Sequence, residues 1–388
     1  MSPINEAITL KRVIISGGGT GGHIHPALAI ADEIKRRHPD CEIMFVGAKG
    51  RMEMEKVPNA GYPIEGLWIS GIDRNWRSLR NLTFPFKLIS SLVKAGFIIR
   101  KFRPQLAIGV GGFASGPLLY RAAVRGIPTA IQEQNSFPGI TNRLLAKKVQ
   151  LICAGFPGLD RWFPADRIIE TGNPLRQSVT QIQSITSSDR SDALAHFGFD
   201  EKRPVAFIMG GSLGAGSMNE AVMAIANRVH QSQKALPFDI LWQCGDRFYE
   251  GMEAALNKLN IPESQRIACV GFIDRMDYAY RAADVIASRA GAMSIAELAL
   301  VGKPTMLVPS PVVAEDHQTK NARSLSDRGG AILVPDHEVV SRLESELSGL
   351  FQNPDKQQKL TESLKGAARP LAAAEVVTAI ENLLKPIK

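Results

Sequence analysis

The run Gly17-Gly18-Gly19-Thr20-Gly21-Gly22-His23 follows a β-branched segment, Lys11 to Ser16, and leads into apolar residues at helical spacing between Pro26 and Arg37 (Leu28, Ile30, Ala31, Ile34). The second half of the chain repeats this order. There Gly210-Gly211-Ser212-Leu213-Gly214-Ala215-Gly216 follows the strand-like Val205 to Met209. A strand ending in such a turn aims backbone N–H groups and a helix N-terminus at whatever anion lies in front of it. The chain therefore reads as two nucleotide-fold halves with a diphosphate expected between them.

Working outward, Glu42–Val46, Gln105–Val110, Pro128–Gln132 and Val149–Cys153 read as strands separated by helical stretches, and Gln105–Val110 runs into a third glycine turn, Gly111-Gly112-Phe113-Ala114-Ser115-Gly116-Pro117. The second half continues with strands near Asp239–Gln243, Ile267–Val270, Val285–Ala287 and Pro304–Val308. Alternation of this kind implies parallel sheets and an α/β class. A Ser-, Gln- and Asp-rich stretch places the domain linker near Asn173 to Ser184, and Ala373 to Leu384 reads as an amphipathic helix able to pack on either domain. At 388 residues, two such domains are expected.

Composition narrows the function classes. The four cysteines, Cys41, Cys153, Cys244 and Cys269, show no CxxC spacing, so neither a zinc site nor a disulfide framework is expected. Residues 1–10 include Asn5 and Glu6 and no sustained apolar run, so no export signal is expected. The longest apolar stretches, such as Leu106 to Tyr120, are broken by glycines and fall short of the roughly 20 residues of a membrane span. The net charge of +8 is unevenly placed: between Arg74 and Arg103 there are eight basic residues and no acidic one, interleaved with Trp76, Leu79, Phe84, Phe86 and other large apolar groups. Cations mixed with large apolar side chains suit an anionic bilayer surface. No stacking platform or groove-reading helix suggests nucleic acid.

The first glycine turn departs from the GxGxxG spacing of dinucleotide proteins, and no acidic residue follows a second strand where a ribose would need one, which argues against hydride transfer. His23 is either a helix cap or a base. At a helix N-terminus the neutral imidazole is favoured, leaving a nitrogen able to accept a proton. The run Ser288 to Leu300 reads as a helix whose only interior charge is Glu297, with the turn Arg289–Ala292 offering amide donors to phosphate. A buried carboxylate needs a partner, either a backbone N–H or hidden Arg, or the two hydroxyls of a ribose. Gln132-Glu133-Gln134-Asn135 and Glu315-Asp316-His317-Gln318-Thr319-Lys320-Asn321 cluster polar groups at strand C-terminal ends, where open α/β sheets bind ligands. No HxxxH, HExxH or Asp-x-Asp signature stands beside a strand end, so no metal and no cofactor are expected, and leaving-group charge falls to amides and arginine.

Taken in order, GGTGGH (Gly18–His23), GVGGFASGP (Gly109–Pro117), EQN (Glu133–Asn135), GNPLR (Gly172–Arg176), GGSLGA (Gly210–Ala215) and the Glu297 helix resemble the MurG family of undecaprenyldiphospho-muramoylpentapeptide β-N-acetylglucosaminyltransferases, from about Arg12 to the last helix. The resemblance implies a GT-B fold, two Rossmann-like domains with parallel sheets facing across a cleft. It divides the chain into an N-terminal acceptor and membrane-facing domain, 1–175, onto which 370–388 pack back, and a UDP-GlcNAc-binding domain, 176–369.

The implied reaction is inverting, metal-independent transfer of N-acetylglucosamine from UDP-GlcNAc to the C4 hydroxyl of the muramyl sugar of lipid I, giving lipid II for peptidoglycan, at the cytoplasmic face of the plasma (inner) membrane. Other cell-wall synthesis proteins would be natural partners. The donor residues implied are Thr20, Gly21 and Gly22, Asn135 on the sugar side, Arg176 and Ser212 on the diphosphate, and the backbone of Ile273 on uracil. Ala292, Met293, Ser294, Ile295 and Ala296 would serve phosphate, Glu297 the ribose, and Gln318 the GlcNAc hydroxyls. Gln132, Leu213 and His317 depart from common residues of the family motifs.

Inversion needs one in-line displacement with a base on the acceptor hydroxyl, for which His23 is the first candidate and Glu133 the second. Arg74, Trp76, Arg77, Leu79, Arg80, Phe84, Phe86 and Lys87 form the expected membrane patch. Rival readings are a UDP-GlcNAc 2-epimerase, which needs no lipid surface, a diacylglycerol glycosyltransferase and a non-catalytic UDP-GlcNAc sensor.

Overall fold

The computed structural model describes residues 9–71, 82–176, 179, 187–211 and 213–385. The chain divides into two compact units, one running to Arg176 and resuming at Arg369, the other spanning Gln177–Ala368.

In the first unit β1 (Arg12–Ser16), α1 (Gly21–Arg37), β2 (Glu42–Ala48), α2 (Glu53–Asn59), β3 (Ile64–Leu67), α3 (Phe84–Phe102), β4 (Leu106–Gly109), α4 (Ser115–Val124), β5 (Thr129–Glu133), α5 (Ile140–Leu145), β6 (Leu151–Ala154) and β7 (Ile168–Glu170) alternate. The seven strands form one parallel sheet in the order β3-β2-β1-β4-β5-β6-β7. β1 shows why its sequence is apolar throughout. Val13 and Ile15 enter the core on one face while Ile14 enters the core on the other, all three at 0 % exposure. Helices cover both faces of such a sheet, so its strands lose the polar alternation of a half-exposed one.

In the second unit α6 (Ser187–Phe197), β8 (Val205–Met209), α7 (Gly216–Ser232), β9 (Asp239–Gln243), α8 (Asp246–Leu256), β10 (Ile267–Val270), α9 (Met276–Ala282), β11 (Val285–Ser288), α10 (Ala292–Val301), β12 (Thr305–Leu307), α11 (His317–Ser326), β13 (Ile332–Leu333), α12 (Val339–Phe351) and α13 (Pro354–Gly366) repeat the pattern. Its parallel sheet runs β10-β9-β8-β11-β12-β13. The last helix, α14 (Ala372–Leu383), belongs to the first unit. Val376, Val377 and Ile380 join the core on the α1 side, and Glu381 accepts from Arg37 Nη1 at 3.0 Å.

Three local readings change. The strands β3 and β7 are short edge strands, too brief to show a period. Helix α1 begins at Gly21, five residues before Pro26, so Gly21 and Gly22 form its first turn rather than a preceding loop. Pro26 sits inside, where its missing N–H forfeits one helical hydrogen bond. Ser288 ends β11, and helix α10 begins only at Ala292, leaving Arg289–Gly291 as the turn.

The strand orders position the sites. In the first sheet the order reverses between β1 and β4, and in the second between β8 and β11. The crevice at the C-terminal ends of such neighbours is where doubly wound folds bind ligands. Each glycine turn leaves one of those strands.

Candidate functional site

In the first unit the turns after β1 and β4 meet. Ser16 is in register with Gly109, and the hydroxyl of Ser115 donates to the Ser16 carbonyl at 2.9 Å. Gly111 and Gly112 both have positive φ (98° and 87°). A Cβ on Gly112 would stand 2.5 Å from the Gly18 carbonyl oxygen, and one on Gly111 2.7 Å from His23 Nε2. Only glycine permits that close approach of the two loops.

Thr20 is the N-cap of α1 with extended backbone (φ −146°, ψ 158°). Its carbonyl accepts from the N–H groups of His23 and Ile24 at 3.1 and 3.2 Å, leaving the N–H groups of Gly21 and Gly22 at the helix N-terminus, where an anion is favoured. The Thr20 hydroxyl does not cap the helix but lies 3.2 Å from His23 Nδ1. That nitrogen is also 3.0 Å from the Gly18 carbonyl oxygen, which can only accept, so the ring carries its proton on Nδ1 and presents Nε2 as the basic nitrogen.

Glu53, which sequence reading passed over, holds this loop. It is 1 % exposed, and its carboxylate accepts from Gly19 N–H at 2.9 Å and from Ala48 N–H at 3.0 Å, tying the glycine turn to the end of β2. Nothing in its local sequence separates it from the solvent-facing glutamates of a helix start.

Glu133, the second candidate base, is 1 % exposed with both oxygens engaged. One accepts from Asn135 N–H at 2.9 Å and Asn135 Nδ2 at 3.2 Å, the other from Gly139 N–H at 3.2 Å and Asn142 Nδ2 at 2.7 Å. Burial pushes its carboxyl up, and those donors pull it back. This is the geometry of a strut under the 134–142 loop, and it orients Asn135. Gln132 likewise is buried and donates to Asn173 Oδ1 at 3.1 Å, while Asn173 Nδ2 donates to the Gln134 carbonyl at 3.0 Å.

Arg176 ends the first unit and lines a small pocket of about 290 Å³ with His25, Leu28, Asp32, Lys56, Asn59 and Ala60. Burial, then the charges of Arg176 and Lys56, lower the His25 pKa to about 4.

In the second unit Gly214 (φ 71°) marks the turn after β8, and a Cβ there would stand 2.1 Å from the Cys244 carbonyl oxygen. That carbonyl also accepts from Asn219 Nδ2 at 3.0 Å, and Asn219 Oδ1 from the fully buried Trp242 Nε1–H at 3.0 Å. The turn is thereby fastened to β9. Across the switch point Arg289 is largely buried and makes an ion pair with Asp336 at 2.5 Å, and it donates to Ser217 Oγ at 2.9 Å and to the Val308 carbonyl at 3.1 Å. Its guanidinium thus binds elements of the unit together.

Beyond it, α10 starts with Gly291 as N-cap, so the backbone of 292–294 lies at a helix N-terminus. Glu297, one turn further on, is half-buried and accepts from the Tyr280 hydroxyl at 2.9 Å, a partner the sequence did not suggest. Ile273 is buried between β10 and α9, and Gln318 Oε1 accepts from Ser310 N–H at 2.9 Å. Before α11, Glu315 and Asp316 both hold positive φ (53° and 52°), a strained entry for non-glycine residues.

Of the expected membrane patch, Arg74, Trp76, Arg77, Leu79 and Arg80 lie outside the described residues, as does Ser212. Phe84 differs from expectation: it packs on the core instead of projecting. Its neighbours form the outward face of α3, where Phe86, Ile89, Val93 and Phe97 follow helical spacing at 69, 61, 55 and 66 % exposure. Trp68, also exposed, has the Lys87 ammonium 5.9 Å from its ring centroid. Among the described residues no helix is long and apolar enough to cross a membrane.

Residues 13–153 match the glycosyltransferase family 28 N-terminal domain and residues 205–376 the glycosyltransferase family 28 C-terminal domain. Relatives named UDP-N-acetylglucosamine–N-acetylmuramyl-(pentapeptide) pyrophosphoryl-undecaprenol N-acetylglucosamine transferase are similar over nearly the whole chain. That of Christiangramia forsetii is 46 % identical over 96 % of this chain and 98 % of its own, and that of Cytophaga hutchinsonii 48 % identical over 96 % and 97 %. Among solved structures, Acinetobacter baumannii MurG has a TM-score of 0.75 at 28 % identity, covering 96 % of this chain and 99 % of its own. A Neisseria meningitidis UDP-GlcNAc 2-epimerase, at 14 % identity and a TM-score of 0.62, shares the fold alone. Two doubly wound parallel sheets, family 28 domains matched in each half and relatives at this identity together make the chain a GT-B enzyme of glycosyltransferase family 28, belonging to the MurG family of UDP-N-acetylglucosamine-dependent transferases.

Proposed function

We propose that this enzyme moves N-acetylglucosamine from UDP-GlcNAc to the C4 hydroxyl of N-acetylmuramyl-pentapeptide diphospho-undecaprenol, with inversion and without a metal. The observation that carries the reading is the His23 ring, held by its Nδ1 on the Gly18 carbonyl at the mouth of the first glycine turn. In a single displacement the acceptor oxygen bonds to the anomeric carbon as the bond to the UDP oxygen breaks. His23 Nε2 takes the hydroxyl proton, and the charge gathering on the diphosphate is met by backbone N–H groups and Arg176.

The second unit serves the nucleotide. The N-terminus of α10, Ala292 to Ala296, faces phosphate, Glu297 the ribose, the Ile273 backbone the uracil and Gln318 the sugar. Ser212 completes the diphosphate contacts, and Thr20, Gly21, Gly22 and Asn135 of the first unit serve the transferred sugar and the acceptor. Glu133 acts through Asn135 as its strut.

The exposed apolar face of α3, in a segment with eight cations and no acid, supports a peripheral place on the anionic cytoplasmic leaflet, where each cation near the surface contributes about 1 kcal/mol. The test is to mix protein, UDP-GlcNAc and a lipid I analogue in EDTA and weigh the product. Gain of one N-acetylhexosamine is expected in EDTA as in Mg²⁺. No gain in either overturns the reading, and gain in Mg²⁺ alone overturns the metal-free mechanism.

A further inference from the structure

Tyr280, on α9, is fully buried, and its ring meets Phe207 of β8 edge-on with centroids 6.1 Å apart at 71°. Its flanking Ala279 and Ala282 are also at 0 % exposure, so the ring stands on a fixed backbone. A phenol in so dry a place must give its proton to an acceptor. The acceptor is Glu297 Oε2 on the neighbouring helix α10, 2.9 Å away. Burial first, and the Glu297 charge second, push the Tyr280 hydroxyl well above the usual phenol range, so it stays a donor at every pH the protein meets.

A glutamate has three side-chain torsions to order before its carboxylate can meet a ligand, and a partner that orders them beforehand removes that cost from binding. A carboxylate has about four acceptor directions, so one held in plane by the Tyr280 hydroxyl suits a vicinal diol, which offers two O–H donors side by side. We propose that Tyr280 is the positioning residue for nucleoside recognition: it sets the plane of the Glu297 carboxylate and thereby makes the second unit prefer a ribonucleoside diphosphate to its 2′-deoxy counterpart. The inference rests on the reading that Glu297 binds the ribose. Tyr280 touches no ligand and acts through Glu297, whereas a core tyrosine without this role would affect stability and leave the sugar preference alone.

The test uses the full-length protein and two probes, UDP and 2′-deoxy-UDP, with dissociation constants measured by calorimetry for wild type, Tyr280→Phe, Glu297→Gln and the double variant. The preference is a ratio read on the same folded molecules, so partial loss of stability cancels. Wild type is expected to favour UDP by roughly tenfold or more, the scale of a hydrogen bond to a charged group. Tyr280→Phe is expected to reduce that preference several-fold, and the double variant to match Glu297→Gln alone. 3-Fluorotyrosine placed at position 280 alone keeps both ring and donor and is expected to keep the preference, which covers the case of a Phe variant that does not fold. Equal weakening of both probes in Tyr280→Phe, no weakening at all, or loss of preference with fluorotyrosine overturns the proposal. If Glu297→Gln retains the full preference, the ribose reading itself fails, and the proposal with it.

Discussion

His23 Nδ1 lies 3.0 Å from the carbonyl oxygen of Gly18, five residues behind it in the chain, so the glycine turn that would bind an anion also sets the tautomer of the proposed base. A backbone carbonyl is a fixed acceptor, and it leaves Nε2 with the lone pair. Replacing His23 by Ala is expected to lower kcat by about 10²- to 10⁴-fold, the usual contribution of a general base, with the dissociation constant for UDP-GlcNAc little changed. Single-turnover kinetics and calorimetry check this. Equal losses in both would make His23 a binding residue.

Glu53 supports the same turn from below. Glu53→Ala removes the acceptor of a buried N–H group at Ala48 and a partly buried one at Gly19, and is expected to cost about 1–3 kcal/mol in urea unfolding. Turnover should fall with it, because the turn that leads into His23 and supplies its carbonyl partner loses its tie to β2.

Gly214→Ala is expected to destabilise by about 1–3 kcal/mol, since alanine must take a positive φ with its methyl against the Cys244 carbonyl. UDP-GlcNAc affinity should drop as the turn shifts. Gly251→Ala in α8 makes the control, because nothing surrounds a Cβ there and its φ is not positive. It should be neutral or stabilising by up to about 1 kcal/mol. Denaturation midpoints of the two variants compare them directly.

His25 makes stability depend on pH. Its folded pKa of about 4 lies below the ordinary 6.5, so between those values the unfolded chain holds the extra proton. The contribution is complete above pH 6.5 and is lost as pH falls towards 4, at a slope on the order of 1 kcal/mol per unit. His25→Phe should flatten that slope in urea titrations at pH 7, 6 and 5. An unchanged slope would assign the acid sensitivity to other groups.

Phe97→Ser on the exposed face of α3 is expected to weaken binding to vesicles of anionic lipid by about tenfold or more, the scale of one phenylalanine side chain withdrawn from an apolar medium. Added salt should weaken wild-type binding as well. Co-sedimentation measures both, and indifference to salt and to anionic lipid would remove the membrane role of this face.

Much of this was open to reading along the chain. Strands buried on both faces are uniformly apolar, glycine turns announce strand-to-helix corners, and each signal spans only a few residues, so β1, α1, β8 and α7 were legible together with the ends at which ligands gather. Order and spacing of the motifs carried the family. The candidate bases were legible too, His23 first for its place at a helix N-terminus and Glu133 second.

What folding added is the partners of each: a carbonyl that orients the half-buried His23 ring, against four donors that wrap the buried Glu133 carboxylate. The same holds for Glu53 on Gly19, Tyr280 on Glu297, and Arg289 on Ser217 and Asp336. Each is a polar contact between elements separated by a crossover. Hydrophobic period states which face of an element is buried, but the identity of the group opposite depends on how the crossover helices seat on the sheet. Local sequence therefore determined the class of fold and the strand ends at which such folds gather ligands, while tertiary packing decided which partner holds each polar group there.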